Sequence, residues 1–68
     1  MVVGIIGLGL IGGSLAISLK KRGFASKIIG VDINEEHCKE SIKLGFADET
    51  CALNEVLSKT ELVILAIP

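Results

Sequence analysis

Gly7-Leu8-Gly9-Leu10-Ile11-Gly12 places three glycines where a main chain could be brought against a phosphate. Gly7 would permit a tight turn out of a strand. Gly9, without a Cβ, would let a pyrophosphate come close to the backbone, and Gly12 would let a helix lie tightly on a sheet. Free amides of the first helical turn, around Leu10 and Ile11, would then point at an anion with the positive end of the helix dipole. The hexamer alone is a weak signal, since glycine-rich runs arise often in apolar sequence. An acid twenty positions after Gly12, Asp32, adds specificity. Its carboxylate would accept hydrogen bonds from the hydroxyls of an adenosine ribose and would repel a 2′-phosphate, and Ile33 supplies no compensating arginine. Together these residues predict dinucleotide binding, with NAD preferred over NADP. The plainer alternative leaves the glycines to turns and packing and makes Asp32 a solvated acid.

Other chemically capable residues are few. Ser14 could reach a phosphate oxygen or be an ordinary first-turn serine. His37, among Glu35, Glu36 and Lys39, reads as a solvated surface residue. Cys38 reads as core filler and Cys51 as a loop or strand residue, neither with a basic partner to make it a nucleophile. No CxxC or Cys/His spacing suggests a metal, and no catalytic residue is assigned within the chain.

Strands and helices that would hold the glycines and Asp32 in place are legible around them. Val2-Val3-Gly4-Ile5-Ile6 suits a strand buried on both faces of a parallel sheet. Ile11, Leu15 and Leu19 then recur at helical spacing beside Gly12 and Ala16, and Lys20, Lys21, Arg22 and Gly23 close that helix. Lys27–Val31 reads as a second strand ending at Asp32. Asn34 is the expected N-cap of a second helix, with Cys38 and Ile42 on its buried stripe, Leu44 flanking it and Gly45 ending it. Residues 46–51 can hold a short third strand at most. Leu53, Val56 and Leu57 suggest a third helix, and Leu62–Ile67 a buried strand. This βαβα(β)αβ order predicts an α/β, doubly wound parallel sheet of the Rossmann type, in the order 3-2-1-4, with the first two helices on one face and the third on the other.

With 68 residues, 50% of them hydrophobic, and seven basic against eight acidic side chains, the chain is too apolar for a disordered tail and lacks the positive excess of a nucleic-acid binder. Two cysteines fit a reducing, cytoplasmic setting. Val2–Leu19 is uncharged and long enough to raise a membrane span, but five glycines crowd it. So short a chain would be marginal alone, and residues 1–68 read as the N-terminal part of a larger NAD-binding domain, the remainder and any dimerisation domain lying beyond.

The run Ile6-Gly7-Leu8-Gly9-Leu10-Ile11-Gly12-Gly13-Ser14-Leu15-Ala16 resembles the start of the prephenate dehydrogenases. The resemblance continues through Ile29–Asp32, Leu44–Glu49 and Leu62–Pro68, and arogenate dehydrogenases share it. It implies NAD-dependent oxidative decarboxylation of prephenate to 4-hydroxyphenylpyruvate in tyrosine biosynthesis. It also implies a small-molecule substrate, prephenate or arogenate, and a homodimer formed by a region not present here. Nothing in it calls for nucleic acid or a membrane. By the resemblance Gly7, Gly9, Leu10, Ile11, Gly12 and Asp32 are NAD contacts, and Leu65, Ala66 and Ile67 line the cofactor pocket. The family's histidine, arginine and serine have no counterpart in this sequence. The rival readings are another Rossmann-type reductase with the same cradle and an NAD-binding module without turnover.

Overall fold

A computed structural model describes the backbone of residues 1–66 and the side chains of all of these except Leu10 and Ile11. The elements are β1 (Val2–Ile6), α1 (Leu10–Lys21), β2 (Lys27–Val31), α2 (Glu35–Lys43), β3 (Glu49–Thr50), α3 (Leu53–Lys59) and β4 (Leu62–Leu65). The strands form one parallel sheet in the order β3-β2-β1-β4. The uncharged run Val2–Leu19 therefore breaks at Gly7 into a strand and a helix. Among the described residues no helix is long and apolar enough to cross a membrane.

Strand β1 is paired on both sides, which is why an all-apolar pentapeptide serves there. Its residues alternate between two cores. Val3 and Ile5, with Ile28 of β2, meet Leu8, Ala16, Ala25 and Ala47 on the α1 side. Gly4 faces the other way: a Cβ on it would fall 2.7 Å from Val56 Cγ2 and 3.0 Å from Thr60 Cγ2, so α3 is seated directly on β1. Ile29, the β2 partner of Gly4, is buried on that side with Val56.

Helix α1 buries its small side, Gly12, Gly13 and Ala16, while Leu15 and Leu19 are half-buried. Gly13 makes room for the ring of Phe46, 2.9 Å from where its Cβ would stand. Helix α2 begins as expected, Asn34 Oδ1 accepting from the amides of Glu36 (2.9 Å) and His37 (3.3 Å). A clamp that the sequence reading did not foresee joins α1 to the sheet. The Asp48 carboxylate accepts from Lys20 Nζ at 2.7 and 2.9 Å and from the amide of Ile28 at 2.7 Å. The Lys20 bond, with the Ile28 amide, holds the Asp48 carboxyl below the ordinary carboxylate range.

Three packing expectations are corrected. In α2 the buried residue is Ser41, whose hydroxyl donates to the Cys38 carbonyl at 2.8 Å, while Ile42 and Leu44 are exposed. The position beside Cys38 that faces the sheet is three residues on, and a small polar side chain fits there because its hydroxyl is satisfied locally. In α3 only Val56 is buried; Leu53 and Leu57 are exposed, since so short a helix presents one residue squarely to β1. Strand β4 spans Leu62–Leu65 with both end residues exposed, and Ile67 lies outside the described residues. Hydrophobicity marked a strand correctly, but it could not say which of its faces are covered.

Candidate functional site

The site forms at the C-terminal ends of β1, β2 and β4. Gly7 continues the sheet by one bond, its amide donating to the Val31 carbonyl at 2.8 Å. It then turns the chain at φ +99°, a left-handed conformation that favours glycine. Gly9 is the N-cap of α1 and contributes no side-chain cap, and no acidic residue lies in the first turn. The first amides of an α-helix have no partner within the helix, so this end can receive an anion.

The two remaining glycines of the motif differ in kind. A Cβ on Gly12 would run into the Gly7 carbonyl oxygen, so Gly12 is required by the turn itself. Around Gly9 a Cβ would meet no protein atom within 4 Å, and its φ of −69° suits any residue. Neither sterics nor conformation asks for glycine there. What its bare backbone leaves is open space beside an uncapped helix end, and that suits the close approach of a phosphate.

Asp32 stands where the spacing predicted, at the end of β2, and its carboxylate is already engaged by the protein itself. Its side chain is only 10% exposed. Oδ2 accepts from the Leu8 amide at 2.7 Å and pairs with His37 Nδ1 at 3.0 Å, and Oδ1 accepts from the Asn34 amide at 2.8 Å. Burial pushes its pKa up, but the bonds from Asn34, Leu8 and His37 outweigh burial and hold it below the ordinary carboxylate value. A carboxylate has about four acceptor positions. The remaining capacity lies on Oδ1, so Asp32 braces the glycine turn with one oxygen and keeps an unfilled acceptor position on the other.

Several residues depart from their sequence reading or were not singled out by it. His37, expected to be solvated, is the partner of Asp32, although its side chain is 43% exposed. Leu8, an unassigned position of the motif, fills the space that Gly30 leaves, lying 2.6 Å from where a Gly30 Cβ would stand. A glycine in mid-strand, opposite a motif leucine, was the available signal. Leu8, Gly9, Ser14, His37 and Glu40 share a hollow of about 360 Å³ between α1 and α2. Leu65 is the β4 partner of Ile6, and the Ala66 amide donates to the Ile6 carbonyl at 2.8 Å, which brings both to the same end of the sheet as Gly7. Leu10 and Ile11 open α1, and Ile67 lies outside the described residues. Cys51 is a thiol whose pKa burial pushes up, the opposite of activation.

A parallel 3-2-1-4 sheet, a glycine turn from its first strand into a helix, and a carboxylate closing the second strand define a Rossmann-type nucleotide-binding domain. The chain belongs to the family described as prephenate dehydrogenase, nucleotide-binding domain, whose family model matches residues 15–68. It is 40% identical over 63 residues to a prephenate dehydrogenase of Bacillus subtilis and 39% identical over 64 residues to one of Lactococcus lactis. The matches take in 91% and 94% of this chain but only 17% and 18% of those relatives. Among solved structures it is similar to prephenate dehydrogenase from A. aeolicus in complex with hydroxyphenyl propionate and NAD+, with a TM-score of 0.89 and 38% identity. It is similar also to Synechocystis arogenate dehydrogenase, with a TM-score of 0.85 and 34% identity. Each of these likenesses covers 100% of this chain and 24% of the other.

Proposed function

We propose that residues 1–68 are the N-terminal part of the NAD-binding domain of an NAD-dependent prephenate dehydrogenase. The observation that carries the reading is the open space over Gly9, beside the uncapped end of α1 and next to the carboxylate of Asp32. NAD supplies the hydride acceptor for oxidative decarboxylation of prephenate to 4-hydroxyphenylpyruvate. The chain's own residues bind and orient. Gly7 and Gly12 shape the turn, Gly9 admits the pyrophosphate, and the amides of Leu10 and Ile11 meet its charge. Asp32 receives the ribose, and Leu65, Ala66 and Ile67 line the pocket. Catalytic and substrate-reading residues lie in a region beyond these 68, as does a homodimer interface, and the setting is cytoplasmic. The Synechocystis neighbour supports a second reading, arogenate as substrate, which the residues here would serve equally well.

Cofactor choice tests the site. Titrated into the full chain, NAD binds at least about tenfold more tightly than NADP, since one charge-assisted hydrogen bond contributes roughly 1.5–3 kcal/mol and repulsion of the 2′-phosphate adds to it. Asp32→Asn keeps an oxygen for the Leu8 amide and erodes the preference. Asp32→Ala also erodes it but loosens the loop, because the Leu8 and Asn34 amides lose their acceptor. Adding Ile33→Arg at the fully exposed neighbouring position inverts the preference. Equal binding of the two cofactors by the wild type would refute the assignment of Asp32.

A further inference from the structure

His37 and Asp32 form the one ion-pair geometry at the dinucleotide site among the described residues. A carboxylate only accepts, so Nδ1 carries a hydrogen in this pair. The other ring nitrogen is then an acceptor when the ring is neutral and a donor when it is charged. The ring is partly open to solvent and lines the hollow that holds Gly9, so it borders the place where Asp32 would meet the ribose.

We propose that His37 is a specificity-determining and positioning residue for this site, its ring charge setting how strongly Asp32 rejects a 2′-phosphate. The proposal rests on the reading of the site as an NAD site. With the ring neutral, Asp32 presents an uncompensated negative charge to the 2′ position, and NADP is disfavoured. With the ring charged, the pair is neutral overall and offers a cationic donor beside the phosphate. Histidine is the side chain that changes charge between about pH 5 and 8, so selectivity for NAD relaxes as pH falls.

The groups facing the ring make this a local effect. From β2 there is Asp32. From α2, Glu40 borders the hollow and Glu36 is the sequence neighbour. From α1, Ser14 and Ile17 are uncharged, as is Phe46 beyond α2. Among the described residues no lysine or arginine lines this hollow to take over the role.

A 2′-phosphate also gains a proton near pH 6, which relieves repulsion whatever His37 does. The test therefore compares pH profiles. NAD and NADP are titrated at pH 5.5 and 8 into the full chain, as wild type and as His37→Gln, which keeps an N–H donor without a titrating charge. The expected result is that the preference for NAD falls between the two pH values by about three- to tenfold more in the wild type than in the variant. A second readout is the NMR titration of the His37 ring in the full chain, its resonance assigned by its loss in His37→Gln; by linkage its midpoint moves further toward higher pH with NADP bound than with NAD. NAD binding with parallel pH profiles, or an imidazole midpoint that moves no further with NADP than with NAD, overturns the role of His37 and leaves the site reading standing. Failure of both cofactors to bind at either pH overturns both.

Discussion

Gly9 and Gly12 are the same residue in one motif, yet they answer different demands. At Gly12 any side chain collides with the Gly7 carbonyl, so Gly12→Ala forces the turn apart and costs about 1–3 kcal/mol of stability, read as a lower denaturant midpoint. At Gly9 a methyl enters open space, so Gly9→Ala leaves stability within about 1 kcal/mol. If Gly9 seats the pyrophosphate as proposed, Gly9→Ala nonetheless weakens NAD by about tenfold or more, because the methyl takes that space. Paired denaturation and NAD titration of the two variants separates the roles, and loss of stability in Gly9→Ala without loss of binding would contradict the assignment. The spacing of the motif and of Asp32 was readable from residue types. The bracing role of Asp32 was not, because it depends on the Leu8 amide arriving 2.7 Å from its carboxylate across two strands.

At the scale of elements, the starts and stops follow local chemistry and were legible. Asn34 caps α2, and Gly23 and Gly45 take φ +74° and +80° just past α1 and α2. The clamp of Asp48 on Lys20 and Ile28 was illegible, since its partners stand 28 and 20 residues away. It ties the end of α1 to the sheet, so its removal should be felt globally. Asp48→Ala is expected to lower stability at pH 7 by about 1–2 kcal/mol, a modest figure because the lysine pair is partly solvated. The folded carboxyl titrates below its unfolded value, so the stabilisation is complete above the ordinary carboxylate pKa of about 3.9 and is lost as pH falls through the lower folded value. Denaturation from pH 7 to pH 2 should therefore show wild type and variant converging only on the acid side. A difference that persisted at pH 2 would assign the effect to packing instead.

For the molecule as a whole, the outer edge of β4 is decisive. Among the described residues no strand pairs with it, and Leu57, Leu62 and Leu65 are exposed nearby. An open strand edge with apolar side chains recruits further chains, so the 68-residue polypeptide should self-associate with rising concentration, and Leu65→Lys should shift it toward monomer in sedimentation. A stable monomer of the unaltered polypeptide at high concentration would count against this. The α/β class, the order of elements, the glycine turn and the acid at the end of β2 follow from the residues alone, because each rests on periodicity or on what one residue type can do with its own backbone. It takes the packed fold to bury Ser41 and not Ile42, to set Leu8 in the gap at Gly30, and to bring His37 to Asp32. These depend on which surfaces meet when α1 and α2 settle side by side on one sheet, and contacts between distant segments leave no local pattern to read.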